Sequence, residues 1–270
     1  MGYHTISVSP MSPYLGAEIG NIDLSKPLSN RGAEEVHQAL IENSVIFFRD
    51  QDIDIPGLKE FGRRFGTLHI HSGMTGLPDH PEVTRIHADE NSERVIGEEW
   101  HTDLSCDPIP PLGSILHLHT VPELGGDTIF ASMYAAYEEL SDRMKAFLSG
   151  LTATHDGYLA FGYRYPDRQY NRTVHPVIAR HPVTGRKLLY VNRGFTSRIN
   201  ELPIDESREL LQVLFRHCEK ADFQIRFRWR KNSIAFWDNR CTQHLAIWDY
   251  YPHTRSGYRV QIDADQPVSA

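Results

Sequence analysis

An imidazole and a carboxylate stand two residues apart in His101-Thr102-Asp103, and a second imidazole, His244, lies far along the chain. Residues i and i+2 of an extended segment point to the same side, so His101 and Asp103 can reach one ion together. Two imidazoles and one carboxylate, with other positions left open, are typical of catalytic non-haem Fe(II) sites. A zinc hydrolase is one alternative, and a surface ion pair beside an unrelated core histidine is another.

Two arginines, Arg255 and Arg259, follow His244 in a segment that is predicted to be a strand. They are four residues apart, so their side chains should point to one face of the sheet. A buried guanidinium is costly unless it meets an anion, and its planar fork binds a carboxylate or a sulfonate through two hydrogen bonds. The pair therefore indicates two bound anions or one highly charged ligand, with cross-strand salt bridges to Asp or Glu as the alternative.

The chain contains fifteen histidines, and most of them need no role in metal binding. The pairs His117/His119 and His69/His71 have no carboxylate at ligand spacing, so we interpret them as core or wall residues, one of which lines a pocket. Six others are expected at surface or helix positions: His4, His37, His80, His155, His181 and His217. The dipeptide Asp238-Asn239 is expected to orient a metal-binding imidazole through hydrogen bonds.

The composition limits the kinds of protein that this chain can be. Its 270 residues carry a formal net charge of −7, which argues against nucleic-acid binding because that depends on clustered Lys and Arg. No stretch is long and apolar enough for a membrane span. The three cysteines form no CxxC pair and the N-terminus has no signal-peptide pattern, which together predict a cytoplasmic enzyme. No repeat or linker divides the sequence, so we expect one domain over residues 1–270.

Hydrophobic periodicity predicts a mainly β chain with added helices. Helices are expected over residues 33–41, 56–65, 134–148 and 206–218. Strands are expected over residues 45–48, 83–86, 112–119, 127–131, 188–191, 223–230, 234–237 and 257–262. Strands flank the candidate metal ligands on both sides, while the helices collect near the beginning and in two inserts. This arrangement favours a double-sheet barrel of the jelly-roll kind.

Several motifs in series resemble the taurine dioxygenase family over residues 6–262. They are Trp100-His101-Thr102-Asp103, Pro110-Pro111, Gly125-Gly126-Asp127-Thr128, Val191-Asn192, Gly194-Phe195-Thr196, Trp237-Asp238-Asn239-Arg240 and Thr242-Gln243-His244. The resemblance implies a double-stranded β-helix core, a catalytic Fe(II), 2-oxoglutarate as cosubstrate and O2 as oxidant.

The resemblance also implies a role for each matched residue. It implies that the catalytic iron ligands are His101, Asp103 and His244. It implies that the far carboxylate of 2-oxoglutarate is held by Thr128 and Arg255. It implies that the substrate contacts His71, Phe161, Phe195 and Arg259, of which Arg259 grips the anionic head.

Two positions depart from the pattern of the taurine-specific members. Met74 stands where those enzymes carry a tyrosine, and Gly97 stands where they carry an asparagine. Buried donors that recognise a polar group enforce specificity, so their loss favours a larger and more apolar anion than taurine. The stretch from Arg94 to Gly97 is similar to members that oxidise aryloxyalkanoate carboxylates.

The resemblance therefore predicts hydroxylation of a C–H bond in a small anionic substrate. We expect an alkyl sulfonate or an alkyl sulfate ester, whose hydroxylated product breaks down to an aldehyde and the released anion. An aryloxyalkanoate dioxygenase is the alternative within the family, and a non-catalytic binding protein on the same fold is the alternative outside it. The expected partners are this small anion and further copies of the chain in a dimer or tetramer, with no nucleic acid and no membrane.

Overall fold

Short strands make up most of the regular structure in the computed structural model, which describes residues 2–270. The strands are β1 Ser7–Pro10, β2 Ala17–Gly20, β3 Val45–Phe48, β4 Val83–Ala88, β5 Gly113–Thr120, β6 Thr128–Ser132, β7 Thr152–Asp156, β8 Arg172–Pro176, β9 Ile178–Arg180, β10 Lys187–Leu189, β11 Thr196–Ile199, β12 Gln224–Phe227, β13 Ser233–Asp238, β14 Thr242–Ala246 and β15 Arg255–Ile262. The helices are α1 Asn30–Asn43, α2 Ile55–Arg63, α3 Met133–Glu138, α4 Asp142–Leu148, α5 Gly157–Phe161 and α6 Ile204–Cys218. The predicted mainly β class is confirmed.

The strands form one large sheet and three small ones. The large sheet has seven strands in the order β1-β2-β3-β13-β5-β15-β4, and its neighbours are antiparallel except for β2 and β3. The small sheets are β12-β6-β14, β11-β7-β8 and β10-β9. Residues 2–270 form no closed barrel in this arrangement, so the barrel predicted from the sequence is replaced by separate open sheets.

An apolar core fills the space between the large sheet and the β12-β6-β14 sheet. Phe47 of the large sheet stacks on Phe227 with ring centroids 3.9 Å apart and meets the edge of Phe130 at 5.6 Å. Its neighbour Phe48 points the opposite way and packs against Phe61 of α2. Because side chains alternate along a strand, β3 is covered on both faces, which explains its unbroken run of apolar residues.

One predicted helix is wrong. The apolar spacing over residues 134–148 predicts a single helix, but the chain forms α3 and α4 with a break between them. Ser141 lies at the break in an extended conformation, and its side chain accepts a hydrogen bond from the backbone N–H of Met144 at 3.2 Å. A serine in this position caps a new helix, so the local hydrogen bond overrides the apolar pattern.

Two strand pairs bring distant parts of the sequence to one place. Arg259 of β15 lies opposite Leu116 of β5, and His244 of β14 lies opposite Phe130 of β6. The segment before β5 crosses to β14, where His101 forms an isolated bridge with His244. Within the described residues, no helix combines the length and apolar character needed to cross a membrane.

Candidate active site

The structure brings the three predicted metal ligands together. The backbone N–H of His101 donates to the carbonyl of His244 at 3.1 Å, and the N–H of His244 donates back at 2.9 Å. Their rings lie 4.1 Å apart between centroids, and the Nε2 atom of His101 lies 3.5 Å from Oδ1 of Asp103. One ligand atom from each of the three residues lies within 4.8 Å of the others, so the side chains can hold one ion.

A backbone carbonyl orients the first imidazole. Nδ1 of His101 lies 2.7 Å from the carbonyl oxygen of Glu99, so it carries the proton and leaves Nε2 free to bind a metal. The ring of His244 is buried, and its Nδ1 has no hydrogen-bond partner among residues 2–270. Burial, together with the nearby His101, keeps the pKa of His244 well below its usual value. The His244 imidazole is thus available in the neutral form that metals require, and the set of two imidazoles and one carboxylate fits Fe(II).

The expected role of Asp238-Asn239 is wrong. Asp238 pairs with Arg240 at 2.6 Å and with His181 at 3.0 Å, while the Asn239 side chain contacts neither metal-binding imidazole. His181 and His155, which were expected near the surface, are both fully buried and hydrogen-bonded. Sequence context did not reveal the contacts of the two histidines because Asp238 is 57 residues from His181 and Ser105 is 50 residues from His155.

Asp103 is held from two sides. Ser114 donates to its Oδ2 at 2.7 Å, and the guanidinium of Arg259 donates to its Oδ1 at 2.9 Å. Burial alone would raise the pKa of Asp103, but the charge of Arg259 and the neighbouring His244 and His101 hold that pKa well below its ordinary value. The carboxylate is therefore ionised at neutral pH, as a metal ligand must be.

A narrow inner cavity of about 30 Å³ leads from the two imidazoles to Arg255. The Arg255 guanidinium is 4% exposed and donates to the carbonyl of Gly126 at 2.9 Å and to Oγ1 of Thr128 at 3.3 Å. No carboxylate of residues 2–270 pairs with it, and burial lowers its pKa to about 10. The indole of Trp229 also donates to Thr128 at 2.9 Å, so the threonine can donate its own proton to a ligand. These residues could hold one carboxylate.

A wider outer cavity of about 340 Å³ opens on the other side of the triad. Its walls include every predicted substrate residue: His71, Phe161, Phe195 and Arg259. The guanidinium of Arg259 faces this cavity, and its Nη2 lies 3.7 Å from the sulfur of Met74. The ion pair of Arg259 with Asp103 was one of the alternatives that the sequence left open, although the two residues are not on paired strands.

His71 presents a neutral donor to the outer cavity. Its Nδ1 accepts a hydrogen bond from the N–H of Gly73 at 3.0 Å, so Nε2 carries the proton. Burial, reinforced by the charge of Arg259, lowers the pKa of His71 to about 3. The ring therefore stays uncharged at neutral pH and can donate to an anion beside Arg259.

The glycine at position 97 suits both the backbone conformation and the space beside the first imidazole. Gly97 has φ +86, and a Cβ atom there would lie 3.1 Å from Cε1 of His101. A side chain would thus strain the backbone and press on a candidate metal ligand. Gly97 lines both cavities, so its small size keeps them connected at the triad.

Sequence reasoning singled out the stretch from Arg94 to Gly97 but missed its contacts at the mouth of the outer cavity. The guanidinium of Arg94 lies 4.1 Å from the ring centroid of Tyr163 and also pairs with Glu98. Leu159, on α5, lines the mouth and is 51% exposed. Only the fold brings the loop that carries Arg94 next to the segment after α5, so no sequence signal could have found this contact.

Comparison with known proteins identifies the family. The sequence model of the taurine catabolism dioxygenase TauD, TfdA family matches residues 7–261. An alpha-ketoglutarate-dependent sulfonate dioxygenase of Saccharomyces cerevisiae is 34% identical over 97% of this chain and 68% of that protein. An alpha-ketoglutarate-dependent sulfate ester dioxygenase of Pseudomonas putida is 30% identical over 97% of this chain and 91% of that protein.

A solved structure agrees with these relatives. The crystal structure of a taurine dioxygenase from Burkholderia xenovorans superposes with a TM-score of 0.85 at 33% identity, over 97% of this chain and 90% of that one. Alpha-ketoglutarate is 2-oxoglutarate, so the names agree with the cosubstrate that the motifs implied. The chain belongs to the taurine catabolism dioxygenase TauD, TfdA family.

Proposed function

We propose that this chain is an Fe(II)- and 2-oxoglutarate-dependent dioxygenase that hydroxylates a C–H bond of an alkyl sulfonate or an alkyl sulfate ester. The observation that carries the proposal is the pair of cavities that meet at His101, Asp103 and His244. Each cavity has its own buried guanidinium, Arg255 in the inner one and Arg259 at the junction with the outer one. Two such groups match two organic anions, a cosubstrate and a substrate.

The inner residues fit the cosubstrate. Arg255 and Thr128 would bind the far carboxylate of 2-oxoglutarate, which leaves its keto acid end beside the triad. His101, Asp103 and His244 would hold the iron, which activates O2 when 2-oxoglutarate and substrate are bound. Because no carboxylate of the described residues 2–270 pairs with Arg255, a bound anion would reduce the cost of burying its charge.

The outer residues fit an anionic head with an apolar tail. Arg259 and the neutral His71 would donate to the sulfonate or sulfate oxygens, while Phe161 and Phe195 pack against the carbon chain. Met74 and Gly97 offer no side-chain oxygen at the two positions where the taurine-specific members carry a tyrosine and an asparagine, so an ammonium group would find no acceptor there. Sulfonate and sulfate ester dioxygenases are also among the relatives.

The reaction balances with one O2 and one 2-oxoglutarate for each substrate, and it yields succinate, CO2 and a hydroxylated carbon. When that carbon bears the sulfonate or sulfate, the hydroxyl loses its proton as the bond to the leaving group breaks. The electron pair departs with sulfite or sulfate, and an aldehyde remains. Arg259, which fixes the head, determines which carbon faces the metal, and a misplacement of about 1 Å can cost on the order of a hundredfold in rate.

The proposal also covers the core architecture, the domain organisation, the assembly and the location of the protein. We infer that the large sheet and the β12-β6-β14 sheet form the two layers of a jelly-roll core, since a core of interlocking aromatic side chains lies between them. A single domain over residues 1–270, a homo-oligomer and a cytoplasmic location stay predictions.

A substrate panel tests the function. Anaerobic protein should form a visible absorption band when Fe(II) and 2-oxoglutarate are both added. With O2, hexanesulfonate and hexyl sulfate should then drive succinate formation matched by sulfite or sulfate release. A preference for phenoxyacetate would select the aryloxyalkanoate alternative, and turnover without O2 and 2-oxoglutarate would select a zinc hydrolase.

A further inference from the structure

Behind Asp103, three neighbouring strands of the large sheet converge on the hydroxyl of Ser114. This hydroxyl, on β5, donates to Oδ2 of Asp103 at 2.7 Å. Nε2 of Gln261, on β15, lies 3.1 Å from the same oxygen, and Nδ2 of Asn239, which follows β13, lies 2.9 Å from it. All four residues are buried, and Ser114 is 0% exposed.

The direction of these hydrogen bonds is fixed. The indole N–H of Trp237 can only donate, and it lies 2.9 Å from Oδ1 of Asn239, so the amide nitrogen of Asn239 must face Ser114. Gln261 supplies a second N–H to the same hydroxyl. A serine oxygen has two acceptor sites and one proton. With both acceptor sites filled, the proton of Ser114 has only Asp103 to bind.

The two oxygens of Asp103 are therefore not equivalent. Oδ2 is occupied by the Ser114 hydroxyl, whereas Oδ1 lies 3.5 Å from Nε2 of His101. Each oxygen accepts one hydrogen bond, Oδ2 from Ser114 and Oδ1 from Arg259, and each keeps a lone pair. The rotation of the carboxylate, which places Oδ1 nearest to His101, therefore decides which oxygen faces the ion.

We propose that Ser114 is a positioning residue: its hydrogen bond to Oδ2 fixes the Asp103 carboxylate so that Oδ1 faces the metal. The inference rests on the proposed function and adds a part that the ligand motif does not contain. By fixing the rotation of the carboxylate, Ser114 directs Oδ1 and not Oδ2 to the ion, so that one oxygen of Asp103 serves as the ligand. Partners that orient a ligand in this way commonly change metal affinity by about 10–100-fold when removed.

A second buried serine provides a matched control. Ser233, on β13, is also 0% exposed, and its hydroxyl accepts from Nη1 of Arg49 at 3.0 Å and from the N–H of Arg230 at 3.2 Å. It satisfies two donors, as Ser114 does, but it contacts none of the three candidate ligands. Removing its hydroxyl therefore carries a similar folding cost with no effect on Asp103.

The test measures Mn(II) affinity of the full chain by electron paramagnetic resonance, with folding followed by circular dichroism. Ser114→Ala should weaken Mn(II) binding about 10–100-fold, and Ser233→Ala should leave it unchanged. Ser114→Cys keeps the shape and supplies a weak donor, so its affinity should lie between wild type and Ser114→Ala.

Each outcome decides the matter. Wild-type Mn(II) affinity in Ser114→Ala overturns the inference. If Ser114→Ala does not fold because two amide donors are left unpaired, Ser114→Cys carries the test, and wild-type affinity in that variant overturns the inference equally. If the wild-type protein itself binds no Mn(II), the proposed function fails instead.

Discussion

The inner end of the candidate active site and the mouth of the outer cavity differ in how deeply their side chains are buried. At the inner end, Asp103 is 3% exposed and Arg255 is 4% exposed. Asp103 accepts a hydrogen bond from Ser114 of β5, and Arg255 donates one to Thr128 of β6. At the mouth, Leu159 is 51% exposed and Tyr163 is 50% exposed, on α5 and the segment after it. The groups expected to perform the chemistry are thus buried and hydrogen-bonded, while the exposed groups at the mouth lie on a short helix and the segment that follows it.

The difference has a physical reason. A metal and a keto acid need ligands at fixed positions, and strands packed in two layers supply that precision. Loops can change length and composition at little cost to the core, so a rigid scaffold can serve different substrates. We therefore expect changes at the inner end to abolish the reaction and changes at the mouth to alter only its selectivity.

The largest effect should come from Asp103→Ala. The loss of a charged ligand leaves two imidazoles, so Mn(II) binding and succinate formation should both fall below detection. The measurement is metal titration followed by turnover with hexanesulfonate. Asp89→Asn, at a carboxylate that lines neither cavity, is the control and should keep both properties. Turnover in Asp103→Ala at the wild-type rate would contradict the metal assignment.

Substitution of each of the two arginines should weaken the binding of only one of the two anions, the cosubstrate or the substrate. Arg255→Leu should raise the KM for 2-oxoglutarate at least thirtyfold, because removing one partner of a buried ion pair costs about 2–5 kcal/mol. Arg259→Ala should instead raise the KM for hexanesulfonate by a similar factor and leave 2-oxoglutarate binding largely intact. Steady-state kinetics with each compound varied in turn checks both. An equal loss of the two affinities in either variant would count against the division into two anion sites.

A smaller change is expected at the mouth. Phe161→Ala removes part of an apolar wall, so the KM for octanesulfonate should rise about fivefold, as expected for roughly 1 kcal/mol of lost burial. The KM for ethanesulfonate and for 2-oxoglutarate should hardly change, since a short chain and the cosubstrate do not need this wall. If the KM for ethanesulfonate rises as much as the KM for octanesulfonate, Phe161 acts on the sulfonate group and does not contact the carbon chain.

The smallest effect concerns how the free energy of unfolding depends on pH, through the buried His155 of β7. Burial, with His175 nearby, lowers the pKa of His155 to about 3. Below pH 6.5 His155 binds a proton in the unfolded chain but not in the folded chain, so the free energy of unfolding falls as the pH falls. Between pH 7.5 and 5.5 the wild type should lose about 1 kcal/mol more free energy of unfolding than His155→Gln. Urea denaturation at both pH values measures this, and identical losses would show that His155 titrates normally.

Strong local patterns were sufficient for part of the fold and for the ligand set. The apolar runs over residues 45–48 and 234–237, and the segment over residues 257–262, predicted strands that the structure contains as β3, β13 and β15. The His101-Thr102-Asp103 motif and the spacing of Arg255 and Arg259 pointed to the residues that lie together around the cavities. In each case, the information lies within a few neighbouring residues.

Other features depended on contacts between distant residues. The strand β14 was not predicted because its buried residues Thr242, Gln243 and His244 are polar, and their burial is possible only with partners elsewhere in the chain. The break before α4 followed from one serine side chain that outweighed the apolar spacing around it.

The sequence alone determined the chemical types in the candidate active site. Short spacing along extended segments puts His101 with Asp103 and Arg255 with Arg259 on common faces, and the family motif around His244 supplies the second imidazole. Tertiary structure decided how each group is used. Only the packing of β13, β5 and β15 places Ser114 behind Asp103, and only the meeting of two loops sets Arg94 over Tyr163. Hydrogen bonds and charges act over a few ångströms, so their partners are defined once the chain has folded.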